Sequence, residues 1–269
     1  MEPGTSETIK NAHRNLVVFY SLIYAIDYLL FSYEPYRVLS SSGTIPDRLL
    51  SASIFLLLIF SVVFLLNRDS HLGPVLASIG FRRKGILRSF VWANAFLLPI
   101  MVNLLGMLLV AGPGSILAIS QVPLPGPAVP FWYPLFALFT VLVAGIAFFP
   151  ILQAFPYESL VDFPKKYTIT LIAAVSATNY NVAFLTGTLR WDDILFFGLL
   201  FTIAYHETRN SIGLVVAYAL AESWVWYVVA ATWGTTVFVG AILARTALSA
   251  ISVGVLIFWH YKSGTSLPA

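Results

Sequence analysis

Long apolar runs that are almost free of charge restrict this chain more than any other feature. Residues 49–66 carry no charged side chain, and residues 131–152 are apolar over a length that crosses a bilayer. About 20 residues at ~1.5 Å each span the ~30 Å of hydrocarbon. Water is absent there, so each backbone N–H and C=O must be satisfied within its own segment, and runs of this kind fold as helices. The whole chain agrees: 59% of its residues are hydrophobic and only 10% are charged, against about 25% charged in a soluble domain. The expected fold is therefore all-α, a polytopic transmembrane helix bundle of about eight spans. They are placed near residues 15–33, 49–66, 89–111, 131–152, 167–185, 193–205, 212–231 and 235–261. One transmembrane domain, 15–261, lies between a polar tail at 1–14 and another at 262–269. The first run ends without a small-residue cleavage pattern, so no cleaved signal peptide is expected.

Charge sets the expected orientation. Lys and Arg concentrate on the cytoplasmic side of membrane proteins. With the N-terminus inside, Lys10, Arg14, Arg68, Arg82, Arg83, Lys84, Arg88, Lys165, Lys166, Arg209 and Lys262 are cytoplasmic, and only Arg37, Arg48 and Arg190 are external. Both termini are then cytoplasmic. The densest basic segment, 67–88, is expected to lie against anionic lipid, so membrane lipid is an expected partner. It has no aromatic or glycine-rich interleaving, so nucleic acid is not. The loop at 112–130 is rich in Gly and Pro, holds no Lys or Arg, and reads as external.

The chemistry-bearing residues are few. Glu158 follows the 131–152 run, and Asp162 stands one helical turn further on; if the helix continues, both acids share a face. A carboxylate at the edge of hydrocarbon faces the bundle interior or a watery cavity. Pro150, Pro156 and Pro164 interrupt the helical ladder around it, and the other helices are expected to surround this one. Asp27 in the first run is expected to snorkel towards the far interface. Pro99 should kink the third span. Tyr218 and Glu222 share a face of the seventh span, and Arg245 in the eighth matches Glu222 in depth, which predicts an ion pair. Asn181 is either interhelical glue or a polar donor. If Glu158, Asn181, Tyr218 and Glu222 converge, they would form a hydrolytic site, with a carboxylate as base for water and amide or phenol groups at the oxyanion. The histidines His13, His71, His206 and His260 fall at span ends or in loops, and the chain has no cysteine. No metal and no cofactor are expected.

The order of these features resembles the CPBP family, the glutamate-dependent intramembrane proteases that include the type II CAAX prenyl endopeptidases. ASIGFRRKGILRSFVWANAFLLPIMVNLLG is similar to the family's basic lead into a membrane helix. YESLVDF stands where the family has Glu-Glu-x-x-x-Arg. LLFTIAYHETRNSIGLVVAYALAES is similar to the segment that ends in the family's His-x-x-x-Asn. The resemblance covers about residues 77–226. It implies peptide-bond hydrolysis in the membrane, with a membrane-embedded or prenylated peptide as substrate. Glu158 matches the second motif glutamate, and Tyr157 replaces the first. Asp162 stands at the arginine position. Ala177 and Asn181 occupy the Phe-x-x-x-His places, and Tyr218 and Glu222 those of His-x-x-x-Asn. The motif histidines are thus missing. Two function classes follow: a divergent intramembrane endopeptidase, or a non-catalytic pseudoenzyme that binds or chaperones a membrane partner, with a small transporter as a further alternative.

Overall fold

The computed structural model describes residues 3–41, 44–67, 72–113, 130–180, 194–221 and 223–263. Every regular element among them is helical. The first four are α1 (Pro3–Ser32), the short α2 (Glu34–Ser41), α3 (Ile45–Leu66) and the short α4 (Leu72–Ser78). Next come α5 (Ile86–Phe96) and α6 (Leu98–Ala111), then α7 (Tyr133–Ile146), a π-helical segment (Ala147–Ala154) and α8 (Phe155–Ser159). After α9 (Lys165–Tyr180), a second π-helical segment (Ile194–Leu200) leads into α10 (Phe201–Thr208). The chain closes with α11 (Ile212–Ala221), α12 (Ser223–Trp233) and α13 (Thr235–Ser263).

Among the described residues, four stretches are single helices long and apolar enough to cross a membrane: Arg14–Ser32, Ile45–Leu66, Tyr133–Ser159 and Thr235–Lys262. The α5–α6 pair makes a fifth if its 48° bend is one broken span. Pro99 stands in the first turn of α6, beside that bend, where its missing N–H frees a carbonyl of the preceding turn. By length and composition the chain is thus a membrane-inserted helical protein.

Tyr133–Ser159 is the central element. Half of its most apolar window is buried inside the bundle, 50% against 17–22% for the other three. One flank, with Ala147, Ile151 and Phe155, packs against Phe19, Ile23, Ile59 and Val63 of α1 and α3. The other, with Phe149, Ala154 and Tyr157, packs against Leu97, Met101, Phe201, Tyr205 and Leu214. Pro150 does not end this helix. The ladder widens instead, so that the Phe155 N–H reaches the Pro150 carbonyl five residues back. A π-turn absorbs one extra residue without stopping the helix. Gln153, fully buried within this turn, donates from Nε2 to the Thr202 hydroxyl at 2.6 Å and to the Gly198 carbonyl at 3.3 Å. The two π-helical segments are thereby stitched together.

The helix ends sort into two groups. At one end, Asn15 of α1, Asn67 after α3, Ser78 of α4 and Glu158 of α8 line one cavity. Lys165 at the start of α9 bonds Glu207 of α10 at 3.2 Å, and Glu207 shares a second cavity with Gly85, just before α5, and Lys262, near the end of α13. At the other end, the Ile45 N–H donates to the Tyr133 hydroxyl at 3.3 Å. There too the Trp233 indole donates to the Phe131 carbonyl at 2.9 Å.

Candidate functional site

The helix carrying Glu158 stops after Ser159. The Leu160 N–H turns back to the Tyr157 carbonyl at 3.0 Å, and residues 160–163 form a turn. Pro164 biases the residue before it away from helical dihedrals, and α9 starts afresh. Asp162 therefore stands exposed in a turn and shares no helical face with Glu158.

Glu158 is held by three partners from two distant segments. Its Oε1 accepts from the Tyr205 hydroxyl at 2.7 Å and from Arg209 Nη1 at 3.3 Å. Its Oε2 pairs with Arg82 Nη2 at 3.1 Å. The Glu158 side chain keeps 16% of its surface exposed, Arg209 29% and Arg82 39%. Tyr205 and Arg209 are four apart, one helical turn, which aims both at the same carboxylate oxygen. Arg209 ends α10 with φ 50°, the one non-glycine with positive φ among the described residues. This left-handed conformation closes the helix and carries the guanidinium over the Tyr157 ring, 4.7 Å from its centroid. Tyr157 meets the buried Tyr205 edge to face at 5.3 Å, and its hydroxyl is hydrogen-bonded to His206 Nδ1.

Arg82 is delivered by a loop locked onto the turn at Asn210–Ser211. The Ser211 hydroxyl donates to the Ile79 carbonyl at 2.7 Å, and its N–H to Gly80 at 3.0 Å. Asn210 Nδ2 donates to the Arg82 carbonyl at 2.6 Å and to that of Lys84 at 3.1 Å. Asn210 Oδ1 accepts from the Ile212 N–H at 3.0 Å and so caps α11. The Ser89 hydroxyl closes the set on the Asn210 carbonyl at 2.6 Å. Gly80 adopts φ 75°, and a Cβ there would lie 2.7 Å from the Tyr205 ring. The loop backbone thus lies directly on the tyrosine that holds Glu158.

Beside the carboxylate is a cavity of about 250 Å³ whose polar lining is Asn15, Asn67, Ser78, Glu158 and Ser159. A carboxylate offers about four lone-pair positions. Two cations and a phenol occupy three of them, and the local charge of the cluster is positive. The arrangement binds and orders the carboxylate, and leaves it bordering an open space.

The other residues singled out in the sequence lie elsewhere. Tyr218 stacks on Phe149 at 5.2 Å and touches Gly145. Phe149 precedes Glu158 by nine residues on the central helix, about 13 Å at 1.5 Å per residue. Tyr218 and Glu158 therefore sit at different depths. Asn181 and Glu222 lie outside the described residues. Arg245 is buried, and its described partners are the carbonyls of Ala217 and Leu220 and the Ser249 hydroxyl, each at 3.3 Å. Both carbonyls lie on one face of α11, three residues apart. Asp27 lines a cavity of about 180 Å³ with Tyr36 and Ser51. Among the described residues no three His, Asp or Glu side chains are grouped as metal ligands.

Sequence reasoning missed Arg82, Tyr205 and Arg209 as partners of Glu158. The signal available was the excess of cations next to a lone interfacial acid, and the four-residue spacing of Tyr205 and Arg209. Comparison with family models, with curated proteins and with solved structures found no match to this chain.

Proposed function

We propose that this is an integral membrane protein of about eight spans with a CPBP-like arrangement, in which Glu158 is an electrostatic anchor and the function is non-catalytic binding of a membrane-embedded partner. The span count is supported by the sorting of helix ends. Following the chain, α1, α3, α5–α6, α7–α8, α9, the Ile194–Thr208 stretch, α11–α12 and α13 run alternately away from and towards the Glu158 end. The basic residues Arg82, Arg83, Lys84, Arg88, Lys165, Arg209 and Lys262 gather at that end, which supports a cytoplasmic placement for it and for both termini.

The observation that carries the anchor role is the triple occupation of the Glu158 carboxylate by Arg82, Arg209 and Tyr205. A general base works through free, reachable lone pairs, and three of the roughly four on this carboxylate are taken. Here the carboxylate joins the basic loop to α10 through two charge-assisted contacts, and its loss would leave two cations without their anion. The test compares the wild type and Glu158→Gln in bilayers against labelled prenylated peptides. The expected result is no cleavage that depends on Glu158, together with a lower unfolding temperature for the variant.

A second reading is favoured by the cavity of about 250 Å³ on the same carboxylate. There Glu158 activates water as a divergent endopeptidase with Asn181 as oxyanion donor, and Tyr218, which packs on Phe149 at a different depth, takes no part. Cleavage by the wild type that disappears in Glu158→Gln would install this reading and remove the first.

A further inference from the structure

A second cavity is larger than the one beside Glu158. It has a volume of about 840 Å³ and lies between the first turn of α5 and the last turns of α13. Its charged lining is Arg88 and Lys262, with Glu207 as the single acid and His260 beside them. Glu207 is already engaged by Lys165 at 3.2 Å, so the cavity wall presents an excess of positive charge. The rest of the wall is apolar or aromatic, including Leu256 and Trp259.

Two features fix the chemistry of what fits. Lys262 stands at the end of the apolar stretch Thr235–Lys262 and Arg88 in the first turn of α5, so the mouth belongs at the boundary between hydrocarbon and headgroups. The lining changes from basic to apolar within one cavity. A soluble phosphate would need only the first half, whereas an amphiphile with an anionic head needs both. Basic pockets between membrane helices hold anionic headgroups in this way, with tryptophan at the interface. The size suits a headgroup with the start of its chains.

We propose that this cavity binds an anionic phospholipid, with the phosphate between Arg88 and Lys262 and the upper acyl chain along Leu256 and Trp259. The proposal rests on the membrane reading above and is independent of whether Glu158 is catalytic. The bound lipid bridges α5 and α13, which already pack against each other.

The experiment uses the full chain in neutral detergent and native mass spectrometry. Wild type, Arg88→Gln/Lys262→Gln and the control Arg83→Gln/Lys84→Gln are each offered phosphatidylglycerol or phosphatidylcholine. A retained phosphatidylglycerol adduct is expected in the wild type and the control, reduced about tenfold in the Arg88/Lys262 pair. Leu256→Trp, which narrows the path of the acyl chain and keeps every charge, should weaken the adduct as well. Equal retention by all variants would overturn the proposal in favour of diffuse surface attraction. Displacement of the adduct by soluble glycerol phosphate would overturn it in favour of a free phosphate ligand. Failure of the membrane reading shows separately, as protein recovered without detergent.

Discussion

At the scale of single residues, the contacts of Glu158 differ in worth because they differ in exposure. Tyr205 is fully buried and donates at 2.7 Å, and a hydrogen bond from a buried donor to a charged acceptor is among the stronger ones. Arg82 keeps 39% of its side chain exposed, so solvent screens its pair. Glu158→Gln is expected to lower stability by about 1–3 kcal/mol, and Arg82→Ala by less than about 1 kcal/mol. Thermal unfolding in detergent, followed by the fluorescence of the native tryptophans, checks both. An equal loss for the two variants would mean that the anchor is not centred on Tyr205. Glu158 itself was legible in the sequence, because an acid after an apolar run stands out locally. Its partners were not. Arg209 lies 51 residues further on, and nothing in the spacing of Arg82, Arg83 and Lys84 says which of them turns inward. That choice is made by Asn210 and Ser211, which bind the loop backbone.

At the scale of helices, α5 and α11 approach so closely that a glycine decides the contact. A Cβ on Gly213 would lie 2.3 Å from the Phe90 nitrogen and 2.7 Å from the Ile86 carbonyl oxygen. These are backbone atoms, so no side chain can swing aside. Gly213→Ala must separate the helices and is expected to cost about 2 kcal/mol or more. Gly254→Ala on α13, where nothing lies within 4 Å, should be neutral or slightly stabilising. Unfolding temperatures of the two variants against the wild type test this. The helices themselves were readable, since apolar content is a local property. The π-helical segment at Ala147–Ala154 was not, because a proline in an apolar run predicts interruption equally well by a kink, a stop or a widened turn. Tertiary packing of Gln153 against Gly198 and Thr202 selects the widened turn. The ion pair expected for Arg245 falls on Glu222, outside the described residues; depth alone could not foresee that the carbonyls of Ala217 and Leu220 also lie within reach of the same guanidinium.

At the scale of the whole molecule, the sorting of helix ends becomes a labelling pattern. The chain has no native cysteine, so single-cysteine variants report cleanly. Arg83→Cys and Lys262→Cys are expected to react with a membrane-impermeant maleimide from the cytoplasmic side, and Phe131→Cys from the opposite side. Labelling of all three from one side would remove the eight-span arrangement. Tolerance to changes in length should be equally uneven. Beyond the widened turn at Ala147–Ala154, the azimuth of every residue is set by how the winding matches the number of residues. The turn absorbs one extra residue, so removing Ile151 restores ordinary α-helical winding and keeps the following segment in phase. Inserting a residue into the ordinary winding of α7 has no such compensation and would rotate the following segment by about 100°. The carboxylate of Glu158 would then swing out from between Arg82 and Arg209, although no residue of the cluster had been altered. Phase, as much as chemical identity, is what this stretch of sequence encodes. A one-residue insertion after Ala144 should therefore match Glu158→Gln in its loss of thermal stability.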